Sequence, residues 1–285
     1  MEKTNKKKFA LPSAKTTIEV IIRLFFFLLY PALFSTAFTG IKMVVEQIAK
    51  AEFLPWNSFV MTLIILLAFT IFFGRFFCGF ACAFGSYGDF IYFLSSKWRK
   101  KRKKKPFHVF EKVSGKMRYL KYLILLLILL LCIRGAGSLV ALHSPFGTFS
   151  RLHALKQPES MTGLFLFILI TAGMALEPRF FCRFLCPMGA VFSLLPVFPF
   201  SVVKRNRENC IRGCKACQMI CPANLDIPSA AKGDNHLTGE CFACSKCIHR
   251  CPRQNIKGVS SKKYLILCQM IMAAALALIF WLVYG

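Results

Sequence analysis

Residues 241–252 read Cys-Phe-Ala-Cys-Ser-Lys-Cys-Ile-His-Arg-Cys-Pro, which is the spacing C-x2-C-x2-C-x3-C-P. Residues 210–222 repeat this pattern with one extra residue, as C-x3-C-x2-C-x3-C-P. Such a run suits a four-iron cubane, because three thiolates from a tight loop hold three irons and the fourth, at the Pro turn, crosses to the other cluster. The two motifs together predict a ferredoxin-like domain with two [4Fe-4S] clusters.

Crossed ligation combines cysteines of both motifs into two ligand sets. Cluster 1 is assigned Cys210, Cys214, Cys217 and Cys251, and cluster 2 is assigned Cys241, Cys244, Cys247 and Cys221. Structural zinc is disfavoured, because zinc sites use C-x2-C pairs separated by a longer gap. Disulfides are disfavoured as well, because these thiols are predicted to lie in the reducing cytoplasm.

The whole chain has the composition of a membrane protein. Of its 285 residues 56% are apolar and only 18% are charged, and Lys and Arg number 38 against 12 acids. A soluble domain this apolar would expose large apolar patches, and a disordered chain would be far more polar. Soluble globular, collagen-like and disordered classes are therefore excluded.

Five segments approach the ~20 apolar residues that a membrane-spanning helix needs. They are Ile18–Phe38, Leu54–Phe73, Tyr119–Leu139, Met161–Leu176 and Tyr264–Tyr284. Two shorter apolar stretches, Phe84–Leu94 and Met188–Phe200, predict re-entrant or interfacial helices. The expected fold is mainly α: a polytopic membrane protein of about five transmembrane helices with a cytoplasmic ferredoxin-like domain. The predicted bounds are 1–200 for the membrane domain, 201–263 for the two-cluster domain and 264–285 for a C-terminal transmembrane helix.

Positive charge falls on alternate sides of these segments. The N-terminus, the run Lys97–Lys105 and the stretch after the fourth span are strongly basic, whereas the connections 40–53 and 140–160 carry few Lys or Arg. Basic residues favour the cytoplasmic side. We therefore predict a multi-pass protein of the inner or cytoplasmic membrane, with the N-terminus and the ferredoxin domain in the cytoplasm and Gly285 outside. Beside membrane spans, the basic run indicates contact with lipid headgroups rather than nucleic acid.

One unit of the membrane domain occurs twice, within about 54–95 and 161–200. Residues 74–85 read Gly-Arg-Phe-Phe-Cys-Gly-Phe-Ala-Cys-Ala-Phe-Gly, and residues 178–189 read Pro-Arg-Phe-Phe-Cys-Arg-Phe-Leu-Cys-Pro-Met-Gly. Two copies of one unit normally pack about a pseudo-twofold axis. Such packing would bring together Cys78, Cys82, Cys182 and Cys186, which are the ligands that one further cluster requires.

The chemistry around this C-x3-C repeat favours a third redox site that holds an iron–sulfur cluster or a quinone. Pro187 fits the first position of a helix, which would place Cys186 at the N-cap, where the helix dipole favours thiolate. Arg75, Arg179 and Arg183 add positive charge nearby. The alternative is that these cysteines are merely buried in an apolar core.

Four residues outside these motifs carry weaker signals. Cys132 and Cys268 stand alone in the third and fifth spans and are interpreted as core residues. His143 and His153 lie on the outer connection, where they would face a quinone or an outside cofactor, or simply the surface.

The motifs resemble those of the membrane-bound polyferredoxins of the NapH-like and NosR-like kind, over residues 54–258. The resemblance implies a 4Fe-4S quinol-dehydrogenase type of protein, which passes electrons between a quinol or cytoplasmic donor and an acceptor across the membrane. This sequence departs from that pattern at Ala83, where Pro is expected, in the longer first ferredoxin motif and in the added fifth span. Its outer connections are too short for a flavin-binding domain, so the acceptor would be another protein.

The leading hypothesis is an electron-transfer component of an oxidoreductase complex rather than a stand-alone catalyst. The expected partners are membrane lipid, an acidic ferredoxin or flavodoxin as donor, a quinone, and an extracytoplasmic flavoprotein, cytochrome or reductase as acceptor. One alternative is a copper reductase or maturation factor for a respiratory metalloenzyme, which would need a metal-ion site on the outer face. A second alternative is an iron–sulfur redox sensor.

Overall fold

The protein is described by a computed structural model over residues 14–53, 56–102, 114–198, 203–205, 210–211, 213–225, 239–257 and 264–284. This part of the chain is mainly α, as predicted. Its helices are α1 (Ala14–Leu29), α2 (Leu33–Ala49), α3 (Ser58–Phe73), a π-helical turn (Phe77–Ala81), α4 (Ala83–Lys101), α5 (Ser114–Met117), α6 (Leu120–Ile133), α7 (Gly137–Leu142), α8 (Pro145–His153), α9 (Met161–Leu176), α10 (Phe180–Phe184), α11 (Pro187–Leu194), α12 (Ala216–Ile220), α13 (Lys246–Arg250) and α14 (Leu265–Tyr284). Strand β1 (Lys204–Arg205) pairs antiparallel with β2 (Ile256–Lys257). Lys3, Lys6, Lys7 and Lys8 of the N-terminus, Lys103–Lys105 and Gly285 lie outside the described residues.

The helices at the five predicted spans differ in whether they are long enough to cross a membrane. Within the described residues, α14 is long and apolar enough to cross a membrane alone, and α1 with α2 qualifies if this bent pair is counted as one span. Helices α3, α6 and α9 are apolar but contain only 16, 14 and 16 residues. Five transmembrane helices therefore stay a prediction.

The first predicted span is wrong as a single helix. Helix α1 ends at Leu29 and α2 begins at Leu33, with a bend of 60° between them. Pro31 causes the break, because proline lacks an N–H donor and its ring clashes with the preceding turn. The second half then continues through Ala49, well beyond the predicted end at Phe38.

The other predicted helix boundaries agree with the structure or differ from it according to the residues at the end of each helix. The fourth span, Met161–Leu176, agrees with α9 residue for residue. The third ends early, at Ile133, and Gly135 then adopts a positive φ of 75°. The first short helix, predicted over Phe84–Leu94, extends to Lys101, and its last turn carries basic residues that suit the helix C-terminus.

Aromatic side chains of helix α8 (Pro145–His153) and of both repeat copies pack together in the core. The ring of Phe84 lies 5.5 Å from Phe146, 5.2 Å from Phe149 and 4.9 Å from Phe181, each in an edge-to-face arrangement. Such edge-to-face pairs add stability beyond the area that they bury. All four cysteines of the repeat belong to the same core.

Candidate functional site

The two repeat copies have the same local structure at their second cysteine. Cys82 has φ −70° and ψ 113°, and Cys186 has φ −71° and ψ 112°. Each is the N-cap residue of the following helix, and the thiol of Cys186 accepts a hydrogen bond from the amide of Gly189 at 3.1 Å. The prediction that Cys186 occupies an N-cap with Pro187 at the first helical position is confirmed.

The arginine of each copy reaches into the other copy. A Cβ added at Gly189 would lie 2.9 Å from Nη2 of Arg75, and a Cβ added at Gly85 would lie 2.9 Å from Nη1 of Arg179. Both glycines therefore leave room for a guanidinium group. This reciprocal crossing is the arrangement that a pseudo-twofold axis requires.

The packing of the two copies brings four buried thiols together. Every pair among them is close enough to interact electrostatically, and the four are Cys78, Cys82, Cys182 and Cys186. Arg75 lies near Cys78, Cys182 and Cys186, and Arg179 lies near Cys82 and Cys182. We call this group the four-thiol site.

A second set of thiols lines one cavity among residues 201–263, the stretch predicted to be the two-cluster domain and called the ferredoxin-like segment below. Its cysteines are Cys221, Cys241, Cys244 and Cys247, which are the set assigned to cluster 2. Burial raises the pKa of the Cys241 thiol to about 12, so a free thiolate is unfavourable there. Bound iron would stabilise the thiolate form, because coordinating thiols lose their proton. We call this place the cluster-2 cavity.

Two of the four cysteines assigned to cluster 1, one from each motif, meet at Asn255. Its side-chain amide donates to Sγ of Cys210 at 3.3 Å and accepts from Sγ of Cys251 at 2.9 Å, although these cysteines belong to different motifs. Nη1 of Arg205 donates to Sγ of Cys217 at 3.2 Å. Pairing of β1 with β2 brings the beginning and the end of the segment together, which allows the crossed arrangement.

The donor chemistry of these sites fits a polynuclear cluster. Within the described residues, no group of three or more His, Cys, Asp or Glu side chains converges tightly enough to hold a single metal ion. The thiols surround the cluster-2 cavity instead of meeting at one point. A [4Fe-4S] cluster suits such a space, because each of its irons takes one thiolate.

Two carboxylates beside these sites, the partly buried Asp89 and the buried Glu240, were missed by the sequence interpretation. Oδ1 and Oδ2 of Asp89 accept hydrogen bonds from Arg179 at 2.8 and 2.7 Å. Glu240 accepts from Lys121, and its carboxylate lies 3.5 Å from Arg75. Burial opposes ionisation of Glu240, but the cations Lys121 and Arg75 outweigh it, so the pKa of this carboxyl lies below its usual value. One signal in the sequence could have pointed to them: acidic residues are rare, with only 12 in the whole chain.

The four residues outside the motifs lie in unremarkable surroundings. Cys132 is buried, and Cys268 packs against the core. Nδ1 of His143 lies 3.1 Å from Oγ of Ser160, and the ring of His153 packs edge-on against an aromatic side chain. The structure does not bring either histidine to the four-thiol site.

A family model described as a 4Fe-4S binding domain matches residues 54–105 and 160–205. These two stretches carry the two copies of the C-x3-C repeat, not the motifs at 210–222 and 241–252. The match therefore bears directly on the two copies of the repeat.

Comparison with curated proteins gives relatives of the same kind. An uncharacterized protein of Methanocaldococcus jannaschii is 29% identical over 69% of this chain and 77% of its own length. Protein NirI of Paracoccus denitrificans is 25% identical over 67% of this chain and 28% of its own length. The putative electron transport protein YccM of Escherichia coli is 32% identical over 25% of this chain and 19% of its own length. These findings make the chain similar to NapH- and NirI-like polyferredoxins.

No solved structure matches this chain. The chain spans only a minor part of NirI and YccM, so the activities of those whole proteins do not carry over. The 4Fe-4S match and these relatives support an iron–sulfur electron-transfer role for the chain.

Close packing between the repeat and the ferredoxin-like segment predicts a strong mutational effect. A Cβ added at Gly79 would overlap the backbone carbonyl of Phe242. We expect Gly79→Ala to cost about 1 to 3 kcal/mol of unfolding free energy, because neither backbone can give way cheaply. Thermal denaturation of the purified protein checks this. The control is Gly147→Ala, where the nearest atom to an added Cβ is 3.6 Å away, and equal midpoints for both variants would contradict the packing described.

Proposed function

We propose that this chain is a membrane-bound electron-transfer subunit. It moves electrons between a cytoplasmic donor or a quinol and a redox partner on the extracytoplasmic side. Iron–sulfur clusters held by its thiols supply one-electron transfer, at potentials set by burial and by hydrogen bonds to sulfur. The polypeptide holds the ligands, excludes water and fixes the spacing of the sites.

The observation that carries this proposal is the serial arrangement of the three thiol groups. Arg179 interacts with Cys182 of the four-thiol site and also with Cys244 of the cluster-2 cavity. On the other side, Cys241 and Cys247 pack against the small core that contains Cys217 and Cys251. The cluster-2 cavity therefore lies between the cluster-1 cysteines and the four-thiol site. Neighbouring redox sites in series are what electron transfer over a long distance needs.

The four-thiol site is the proposed place of a third cluster. Its four donors, the hydrogen bond from the Gly189 amide to Cys186, and the two flanking arginines suit an anionic iron–sulfur group. The 4Fe-4S family match over both copies supports the same assignment.

The outer surface of the helices supports a membrane location. Large apolar side chains that no other part of the described chain covers include Leu28 (66% exposed), Leu123 (62%), Phe165 (66%) and Leu282 (68%). Four different helices contribute them. Apolar patches of this extent are unfavourable in water and favourable against lipid.

Reporter fusions test the proposed orientation. We expect reporters placed after residues 102 and 257 to be active only as cytoplasmic reporters, and reporters placed after residues 155 and 284 only as extracytoplasmic ones. The physical basis is the asymmetry of Lys and Arg between alternate connections. An extracytoplasmic ferredoxin-like segment would contradict the orientation and, with it, the direction of the electron path.

Reduction by candidate donors tests the proposed function. The full-length protein, purified without oxygen, is titrated with menaquinol, ubiquinol and a reduced acidic ferredoxin while EPR follows the clusters. We expect at least one of these donors to reduce all clusters, and an extracytoplasmic flavoprotein, cytochrome or reductase to reoxidise them. Clusters that no quinol or protein donor reduces, in a protein that instead reduces Cu(II), would favour the copper reductase.

A further inference from the structure

The two repeated arginines obtain their carboxylate partners from different parts of the chain. Arg179, of the second copy, is held by Asp89, which lies four residues after Gly85 in the first copy. The equivalent position of the second copy, four residues after Gly189, is Ser193. The repeat therefore offers Arg75 no matching acid.

The ferredoxin-like segment fills this gap. Glu240 supplies the carboxylate to Arg75 at 3.5 Å, and the carbonyl of Gly239 accepts from the same guanidinium at 3.3 Å. A Cβ on Gly239 would overlap the backbone of Ser193, so the chain passes directly over the position where the acid is missing. The Tyr122 hydroxyl lies 2.8 Å from Oγ of Ser193 and donates to Glu240 at 2.9 Å, which joins both parts.

Phe242, two residues after Glu240, lies where the two copies of the repeat meet, beside the arginine of each copy. Its ring lies 4.9 Å from the guanidinium of Arg75 and 5.6 Å from that of Arg179. The side chain is 2% exposed, and its carbonyl packs against Gly79. Cation–π contacts of this kind are worth more when water is excluded. Cys241 and Cys244, which lie on either side of Phe242 in the sequence, line the cluster-2 cavity.

We propose that Glu240 is a positioning residue that clamps residues 239–244 into the repeat and so fixes the cluster-2 cavity against the four-thiol site. The proposal rests on the proposed electron-transfer function, because a fixed separation matters where electrons pass. Transfer between redox sites slows steeply with distance, and loss of the buried ion pair would release the segment that carries two of the cluster-2 ligands. Removing one member of a buried pair also leaves Arg75 and Lys121 without their carboxylate.

Hydrogen exchange on the anaerobically purified full-length protein measures the clamp. In Glu240→Gln, we expect amides of residues 239–244 to exchange at least about tenfold faster, since breaking a buried ion pair is strongly destabilising. The matched control is Glu159→Gln, because Glu159 pairs with Arg151 at an exposed site where such pairs contribute little. Where Glu240→Gln does not accumulate, Glu240→Asp keeps the charge, shortens the reach and is expected to give a smaller increase.

A second variant separates clamping from simple charge compensation. Ser193→Asp in the Glu240→Gln background restores a carboxylate for Arg75 from the membrane side, by analogy with Asp89, without holding the segment. In this double variant we expect the amides of residues 239–244 to exchange as fast as in Glu240→Gln. We also expect the EPR spin–spin interaction between the clusters of the cluster-2 cavity and the four-thiol site to stay weaker than in the unsubstituted protein, while the iron content stays full. Recovery of protection and of spin coupling would overturn the proposal, and so would slow exchange in Glu240→Gln itself. If the four-thiol site holds no iron but exchange still accelerates, the clamp stands and the proposed third cluster fails.

Discussion

Replacing Cys182 and Cys186 by Ala is expected to abolish electron transfer to the extracytoplasmic side while the clusters of the ferredoxin-like segment remain reducible. The two thiols are half of the four-thiol site and lie in the core of the repeat, whereas the cluster-1 and cluster-2 ligands belong to residues 210–251. A cluster cannot be retained on two of its four ligands, so about four irons per chain should be lost. EPR of the reduced protein and transfer to an outside acceptor measure the two effects separately.

The control for this pair is Cys132→Ala with Cys268→Ala, which removes two thiols that no proposed site uses. We expect that variant to keep its iron and its activity. If the Cys182 and Cys186 variant behaved like the control, the four cysteines would be core residues only. Unchanged iron with lost activity would also exclude a third cluster and would point to a quinone pocket or a partner contact.

Replacing Cys251 by Ala is expected to remove the cluster of the other motif. Cys251 follows Cys247 in sequence, yet it shares Asn255 with Cys210 and packs beside Cys217. Crossed ligation therefore predicts loss of about four irons from cluster 1, with the cluster-2 signal retained. Cys221→Ala should do the reverse and remove cluster 2.

EPR spectra of single variants decide between crossed and local ligation. The spectrum of Cys251→Ala should match that of Cys210→Ala, because crossed ligation assigns both residues to cluster 1, and the spectrum of Cys221→Ala should match that of Cys241→Ala. Local ligation would exchange the two results, since each cysteine would then serve its own motif. The hydrogen bonds of Asn255 to cysteines of both motifs are the structural reason to expect the crossed result.

The fold was predictable wherever one strong local signal governs an element. Uninterrupted apolar sequence gave the bounds of Met161–Leu176, and the place of Pro187 gave the N-cap at Cys186. The break at Pro31 was also available from sequence, because proline inside an apolar run ends or bends a helix. The length of Ala83–Lys101 was less accessible, since its second half is basic and loses the apolar pattern that marks a helix in membrane.

The cysteines of the candidate sites could be found from spacing, but their carboxylate partners could not. Glu240 meets Arg75 across more than a hundred and fifty residues of sequence, so only the folded chain brings them together. The repeat nevertheless contained part of the answer. Aligning its two copies sets Asp89 against Ser193, so the second copy lacks an acid to pair with Arg75. A buried arginine needs a carboxylate partner, which must then come from another part of the chain.

The count of iron and acid-labile sulfide in the anaerobically purified full-length protein tests the central claim most directly. Eight ferredoxin-type cysteines account for two [4Fe-4S] clusters, and the four-thiol site adds the ligands of one more. We predict about twelve irons and about twelve sulfides per chain. A protein that is fully loaded in its ferredoxin-like segment but holds only about eight of each would contradict a third cluster at the four-thiol site.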